Sequence, residues 1–261
     1  MEDPNKFYRI LIKFMDEQYV ESFINEGLLF MNNIDFFKDY EDADEALRGD
    51  VHEGLAASYK AEELTIKFGE HILEGATGKV DVRYNREGAT NIYSMTRISD
   101  GNVLDAGEEG LFLSDKFKKF GNRAILIAGS NIVEFERRLQ SALSEQTDIY
   151  SEFEKGRASK QVSYLNRTKH HGKMDIYNKF DDYAWQYEWR IAFKQSKSKG
   201  PYPLKIGNLS DIAQVFETDA LINEPIKLVE KTCNKKMFRT NTASLLRRYA
   251  VFAKNLSVRH Q

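Results

Sequence analysis

The residues best placed to do chemistry are Gln186 and Glu188, in the run Trp185-Gln186-Tyr187-Glu188-Trp189-Arg190-Ile191-Ala192-Phe193. Trp185, Tyr187, Trp189, Ile191 and Phe193 alternate with polar residues, which is the period of a strand with one buried and one free face. Side chains two residues apart on a strand point the same way. The pattern therefore predicts an amide and a carboxylate side by side on a rigid element, flanked by both tryptophans of the chain. A carboxylate held like this can stabilise a developing positive charge. The plainer alternatives are a solvated face of an edge strand, or an ion pair between Glu188 and Arg190 on the same face.

Two earlier segments offer further polar groups on predicted strands. Phe7-Tyr8-Arg9-Ile10-Leu11-Ile12-Lys13-Phe14 reads as a first strand carrying Arg9, with Lys13 as a competing cation. Asn91-Ile92-Tyr93-Ser94-Met95-Thr96-Arg97-Ile98 reads as another, with Ser94 and Thr96 on one face. The plainer readings are a surface cation for Arg9 and ordinary strand hydroxyls for Ser94 and Thr96.

The elements between them are mixed in order. Asp16 is expected to cap a helix whose apolar face is Tyr19, Val20, Phe23 and Ile24, and Gly27 to stop it. Leu28 to Met31 reads as a short buried strand and Ile34 to Tyr40 as a short helix. Residues 41–54 are acidic and turn-rich and read as a surface loop, a solvated cap or a site rim. Their carboxylates have neither calcium-loop nor zinc-site spacing, so no metal is assigned. Tyr59 to Tyr84 reads as strands and turns around Gly69, Gly75 and Gly78, and 100–107 as a turn-rich connection. Ser114 begins a helix ended by Gly121, Arg123 to Ala128 is a buried strand, and Asn131 caps a helix to about Glu145. Gln161 to Leu165 is a strand, 166–182 a basic solvated loop or anion contact, and Gly200-Pro201-Tyr202-Pro203 a break. Such an order favours α+β over a doubly wound sheet. No domain boundary or internal repeat is evident, so one domain over 1–261 is expected, with a basic helical C-terminal segment at about 226–261.

Composition bounds the rest. A chain that is 41% hydrophobic and 30% charged suits a globular protein with a sizeable core. Cys233 is the sole cysteine, which excludes an internal disulfide and fits a reducing compartment. The N-terminal residues do not form a signal peptide and no apolar run spans a membrane, so a cytoplasmic location and no membrane partner are expected. Residues 1–153 hold 17 Lys+Arg and 30 Asp+Glu, a net of −13, whereas 154–261 hold 21 and 10, a net of +11. That split predicts a face for a polyanion, unless the halves mix in the fold. Within Ser244 to Lys254 the apolar and basic residues separate onto two sides of a predicted helix. It could meet nucleic acid, an acidic partner or the acidic N-terminal half.

In their order, Tyr8-Arg9, then Ser94-Met95-Thr96, then Gln186-Tyr187-Glu188 resemble the Arg–Ser–Glu class of ADP-ribosyltransferases. Those enzymes use an arginine on an early strand, a Ser-Thr-Ser-like strand and a closing Glu-x-Glu or Gln-x-Glu strand. The second motif departs here, as Ser-Met-Thr. The chain also resembles a group of bacterial proteins with a Phe-Gly strand leader (Phe120-Gly121) and a late Glu-Trp-Arg strand (Glu188-Trp189-Arg190), some placed among ADP-ribosyltransferase-like toxins and phage-defence proteins. The resemblance spans roughly residues 7–193. It implies a split mixed or antiparallel sheet core with flanking helices, and transfer of ADP-ribose from NAD. Glu188 would be catalytic with Gln186 facing the acceptor. Arg9, or else Lys13, Arg48 or Arg190, would hold the pyrophosphate, with Tyr8, Tyr93, Ser94 and Thr96 around the cofactor. Tyr187 is an alternative to Tyr93 for stacking on the nicotinamide. A glutamine at 186 leans toward asparagine or nucleobase acceptors, hence RNA or DNA, and an antitoxin or chaperone is a further expected partner. Two other readings are a non-catalytic binding module gripping nucleic acid through the basic tail, and a metal-dependent nuclease using the carboxylates of 41–53.

Overall fold

The computed structural model describes residues 7–39, 50–84, 86–150 and 158–229. Arg48, most of the acidic stretch, Cys233 and nearly all of the basic tail lie outside the described residues. The rest is α+β with mostly antiparallel strands. The chain divides into two units: Met1–Leu29, Met95–Thr147 and Pro203–Gln261 in the first, and Phe30–Ser94 and Asp148–Tyr202 in the second.

The first unit is built on strand β1 (Tyr8–Met15), whose Leu11 and Ile12 are buried. Helix α1 (Val20–Glu26) follows, and Gly27 ends it in the left-handed conformation as the sequence predicts. Asp16 makes no side-chain cap; the Asn122 Oδ1 accepts the Glu17 N–H at 2.9 Å instead. In the second unit β2 (Ala57–Lys60) pairs with β3 (Lys79–Val82). Strand β4 (Asn91–Ser99) begins in that unit and ends in the first. The expected turn-rich connection after it is a short helix, α2 (Asp100–Asp105), because Ser99 and Asn102 form a reciprocal capping box.

Strand β5 (Arg123–Ala128) is buried almost throughout and pairs with β1, Leu11 opposite Ile127. Ser114 does cap the segment before it, but that segment (Asp115–Phe120) is a 3-10 helix. Helix α3 (Asn131–Glu145) buries Ile132, Phe135, Leu139 and Ala142; of the stripe Phe135, Leu139 and Leu143 expected from the helical spacing, the first two are buried and Leu143 is half-buried. Its N-cap is Ser130 rather than Asn131, whose Nδ2 donates to the Ile212 carbonyl.

In the second unit the expected 161–165 strand is two short ones, β6 (Ser159–Gln161) and β7 (Ser163–Leu165). The expected basic loop contains β8 (Gly172–Lys173) and β9 (Asn178–Phe180). Strand β10 (Glu188–Gln195) pairs with β6, Gln161 opposite Trp189, and lies between β6 and β4. The expected break at 200–203 overlaps a strand, Tyr202–Lys205. Strand β11 (Ala213–Glu217), which no sequence signal marked, pairs with β5 in the first unit, Val215 opposite Ile125. No helix among the described residues is long and apolar enough to cross a membrane.

Candidate active site

Gln186 and Glu188 do not share a strand face. Asp181–Gln186 is a 3-10 helix, Tyr187 is left-handed at φ 45° and ψ 43°, and β10 starts only at Glu188. The alternation misleads because both faces of β10 are buried: Glu188 through Lys194 are all inside. A buried strand with polar residues at alternate positions needs partners for them. That requirement builds the site.

Glu188 is 3% exposed. Its Oε1 accepts from Ser94 Oγ at 2.5 Å and from Arg190 Nε at 2.8 Å, and its Oε2 accepts from Lys179 Nζ at 3.1 Å. Arg190, fully buried, gives its two terminal nitrogens to Glu53 at 2.6 and 3.0 Å, and one of them also to the Ile176 carbonyl. This is the bidentate geometry in which a guanidinium serves best. The ion pair between Glu188 and Arg190 is therefore present, but inside the protein rather than on a solvated face.

Lys179, on β9, donates to Gln186 Oε1 at 3.3 Å as well as to Glu188. Its Nζ also lies 3.6 Å from Glu53, 3.9 Å from Asp50 and 4.4 Å from the centre of the Tyr183 ring. So the amide and the carboxylate of the Gln-x-Glu motif do come together, through a lysine that the sequence did not single out.

The electrostatics follow from burial set against these partners. Burial opposes the Glu188 anion, but Arg190, Lys179 and Ser94 outweigh it and bring the pKa down to about 2. Burial likewise opposes the Lys179 ammonium, yet Glu188, Glu53 and Asp50 raise it above the ordinary lysine value. Arg190 is raised for the same reason, by Glu188 and Glu53. At Asp50 burial wins: with Lys179 at 3.9 Å and Glu53 adding repulsion, its pKa rises to about 6. Two cations, Lys179 and Arg190, thus face the Glu188 anion, the Glu53 carboxyl and an Asp50 carboxyl whose pKa is about 6. Buried, mutually perturbed groups of this kind concentrate at functional sites.

Asp50 and Glu53, 2% and 3% exposed, overturn the surface-loop reading for the end of the acidic stretch. Arg83 holds that turn, donating to the carbonyls of Val51 and Glu53. Lys179 sits within Tyr177-Asn178-Lys179-Phe180, a cation bracketed by two aromatics, both of them buried; that bracketing is the signal the sequence offered.

Of the predicted residues, Ser94, Gln186 and Glu188 meet in the second unit. Tyr93, also in that unit, is 6% exposed, and burial pushes its phenol well up. Tyr8, Arg9, Lys13 and Thr96 belong to the first unit. Tyr8 pairs with Ser99 and Ile12 with Thr96. Arg9 bonds Asp100 at 3.1 Å, with its guanidinium carbon 5.2 Å from the Phe7 ring centre. Among the described residues no group of three or more His, Cys, Asp or Glu could hold a metal ion. No family model, curated protein or solved structure matches the chain.

Proposed function

We propose that this chain is an NAD-dependent ADP-ribosyltransferase in which Glu188 stabilises the ribose as its bond to nicotinamide breaks. One observation carries the reading: Ser94 Oγ donates to Glu188 Oε1, so the second and third motifs of the resemblance join in a single hydrogen bond. Cleavage at the anomeric carbon builds positive charge on the ribose, as in glycoside hydrolysis. An anion fixed before the reaction stabilises that charge without reorganising. Glu188 fits, since it stays ionised far below neutral pH and its Oε2 has lone-pair capacity beyond the bond from Lys179 for a ribose hydroxyl. Gln186, bonded to the same lysine, stands next to it for the acceptor.

Arg190, fully committed to Glu53 and Glu188, drops out as holder of the pyrophosphate in this reading. An acceptor on nucleic acid or protein, a role as toxin or phage-defence effector, and an antitoxin or chaperone are proposed on the resemblance.

The nuclease reading has one observation in its favour: Asp50, Glu53 and Glu188 converge. Their centre is Lys179, however, and Arg190 closes the other side, so a divalent ion would meet two resident cations. Wild type, Glu188→Asp and Glu188→Gln should be incubated with adenylate-labelled NAD and cell extract, then treated with nuclease or protease. Label transferred by wild type and lost in Glu188→Asp, which keeps the charge but withdraws it by one methylene, supports the proposal. Magnesium-dependent cleavage of nucleic acid without NAD supports the nuclease instead.

A further inference from the structure

The turn that carries Gln186 and Glu188 is held from three sides. Tyr164 OH, on β7, accepts the Glu188 N–H at 2.8 Å, and Gln161 Nε2, on β6, donates to the Tyr187 carbonyl at 3.1 Å. Lys179, on β9, reaches both side chains. Tyr164 and Lys179 are register partners in the parallel β7–β9 pair, so one small sheet delivers both to the turn. The left-handed Tyr187 costs backbone energy that only such over-determination sustains. An ammonium has donors and no acceptor, so the Gln186 atom toward Lys179 is its carbonyl oxygen.

We propose that Lys179 is the positioning residue of this site: its ammonium fixes Gln186 and Glu188 in one mutual orientation, with the amide oxygen and one carboxylate oxygen both turned onto it. This deepens the ADP-ribosyltransferase reading and rests on it for the catalytic consequence alone. The groups facing Glu188 are Lys179, Arg190 on its own strand, Ser94 and the Tyr164 phenol. Asp50, Glu53 and the Tyr183 ring face Lys179 in turn. Arg190 and Ser94 remain on one carboxylate oxygen when Lys179 is removed, so the loss takes the ammonium from the other oxygen and from the amide oxygen together.

The test reads Glu188 directly. The 13C shift of its side-chain carboxyl, assigned by its loss in Glu188→Gln, is followed against pH in wild type, Lys179→Met and the charge-balanced pair Lys179→Met with Asp50→Asn. Thermal melts establish that each is folded. Removal of the ammonium should raise the Glu188 midpoint by about one pH unit. It should lower kcat for nicotinamide release at least about 10-fold while KM for NAD moves less than about 3-fold. An unchanged midpoint in Lys179→Met and in the charge-balanced pair overturns the proposal. A wild type that releases no nicotinamide defeats the ADP-ribosyltransferase reading instead, and the titration alone then decides the role of Lys179.

Discussion

Asp50 sets the charge balance of the cluster, because burial raises its pKa to about 6 while Glu188 stays ionised far below that. Its pKa of about 6 against an ordinary 3.8 means that the folded protein binds its proton more tightly than the unfolded chain does. Keeping it ionised therefore costs stability, fully above pH 6 and progressively less as pH falls toward 3.8. Asp50→Asn retains an oxygen for the His52 N–H and removes that cost. It should stabilise the protein by roughly 1–3 kcal/mol at pH 8, with the gain fading toward pH 4. Denaturant unfolding across that range measures it, and a variant weaker than wild type at pH 8 contradicts the charge assignment. Glu188 has the opposite sign: its contribution is present above 4.5 and lost as pH falls toward about 2. Deleting the hydroxyl in Ser94→Ala removes a bond to a charged acceptor and should cost about 1.5–3 kcal/mol in thermal or denaturant unfolding.

Two backbone positions test how the elements are placed. Tyr187 is the sole non-glycine at positive φ among the described residues. There Tyr187→Gly should be the more stable truncation and Tyr187→Ala the weaker by about 1 kcal/mol, the reverse of the order inside a strand. Equal melting of the two would mean that the turn is not left-handed. At Gly121, φ is 145° and a Cβ would fall 2.0 Å from the Met15 carbonyl carbon. Gly121→Ala should thus cost at least about 2 kcal/mol, read in the same unfolding assay. The strands that alternate or run apolar, β1, β4 and β5, and the stripe of α3 were legible because their pattern survives in a window of a dozen residues. Glu188 and Ser94 were legible as chemistry. Their setting was not. Periodicity through Tyr187 concealed a left-handed residue, and full burial of β10 imitated a half-exposed strand. Asp50 and Glu53 read as solvated charges, because their charged partners lie more than a hundred residues away in sequence, as Lys179 and Arg190 do; Lys179 read so because its local partners Gln186 and Glu188 were assigned to an exposed strand face.

Across the whole chain the acidic first part and the basic second part do not become an acidic unit and a basic one. The segments of the first unit hold 20 Lys+Arg and 19 Asp+Glu, those of the second 18 and 21. Each unit draws on both parts of the sequence, so the split along the chain is largely mixed by the fold. What distinguishes the second unit is the concentration of buried charge around Glu188, not its sum. The most direct measurement of the central claim is release of nicotinamide from NAD by purified, folded protein, with wild type compared with Ser94→Ala and Glu188→Asp. The account predicts turnover by wild type, a fall of about 10-fold in Ser94→Ala and of 100-fold or more, roughly, in Glu188→Asp, with all three melting as cooperative folded proteins. Equal release by wild type and Glu188→Asp, or none from wild type, would contradict it.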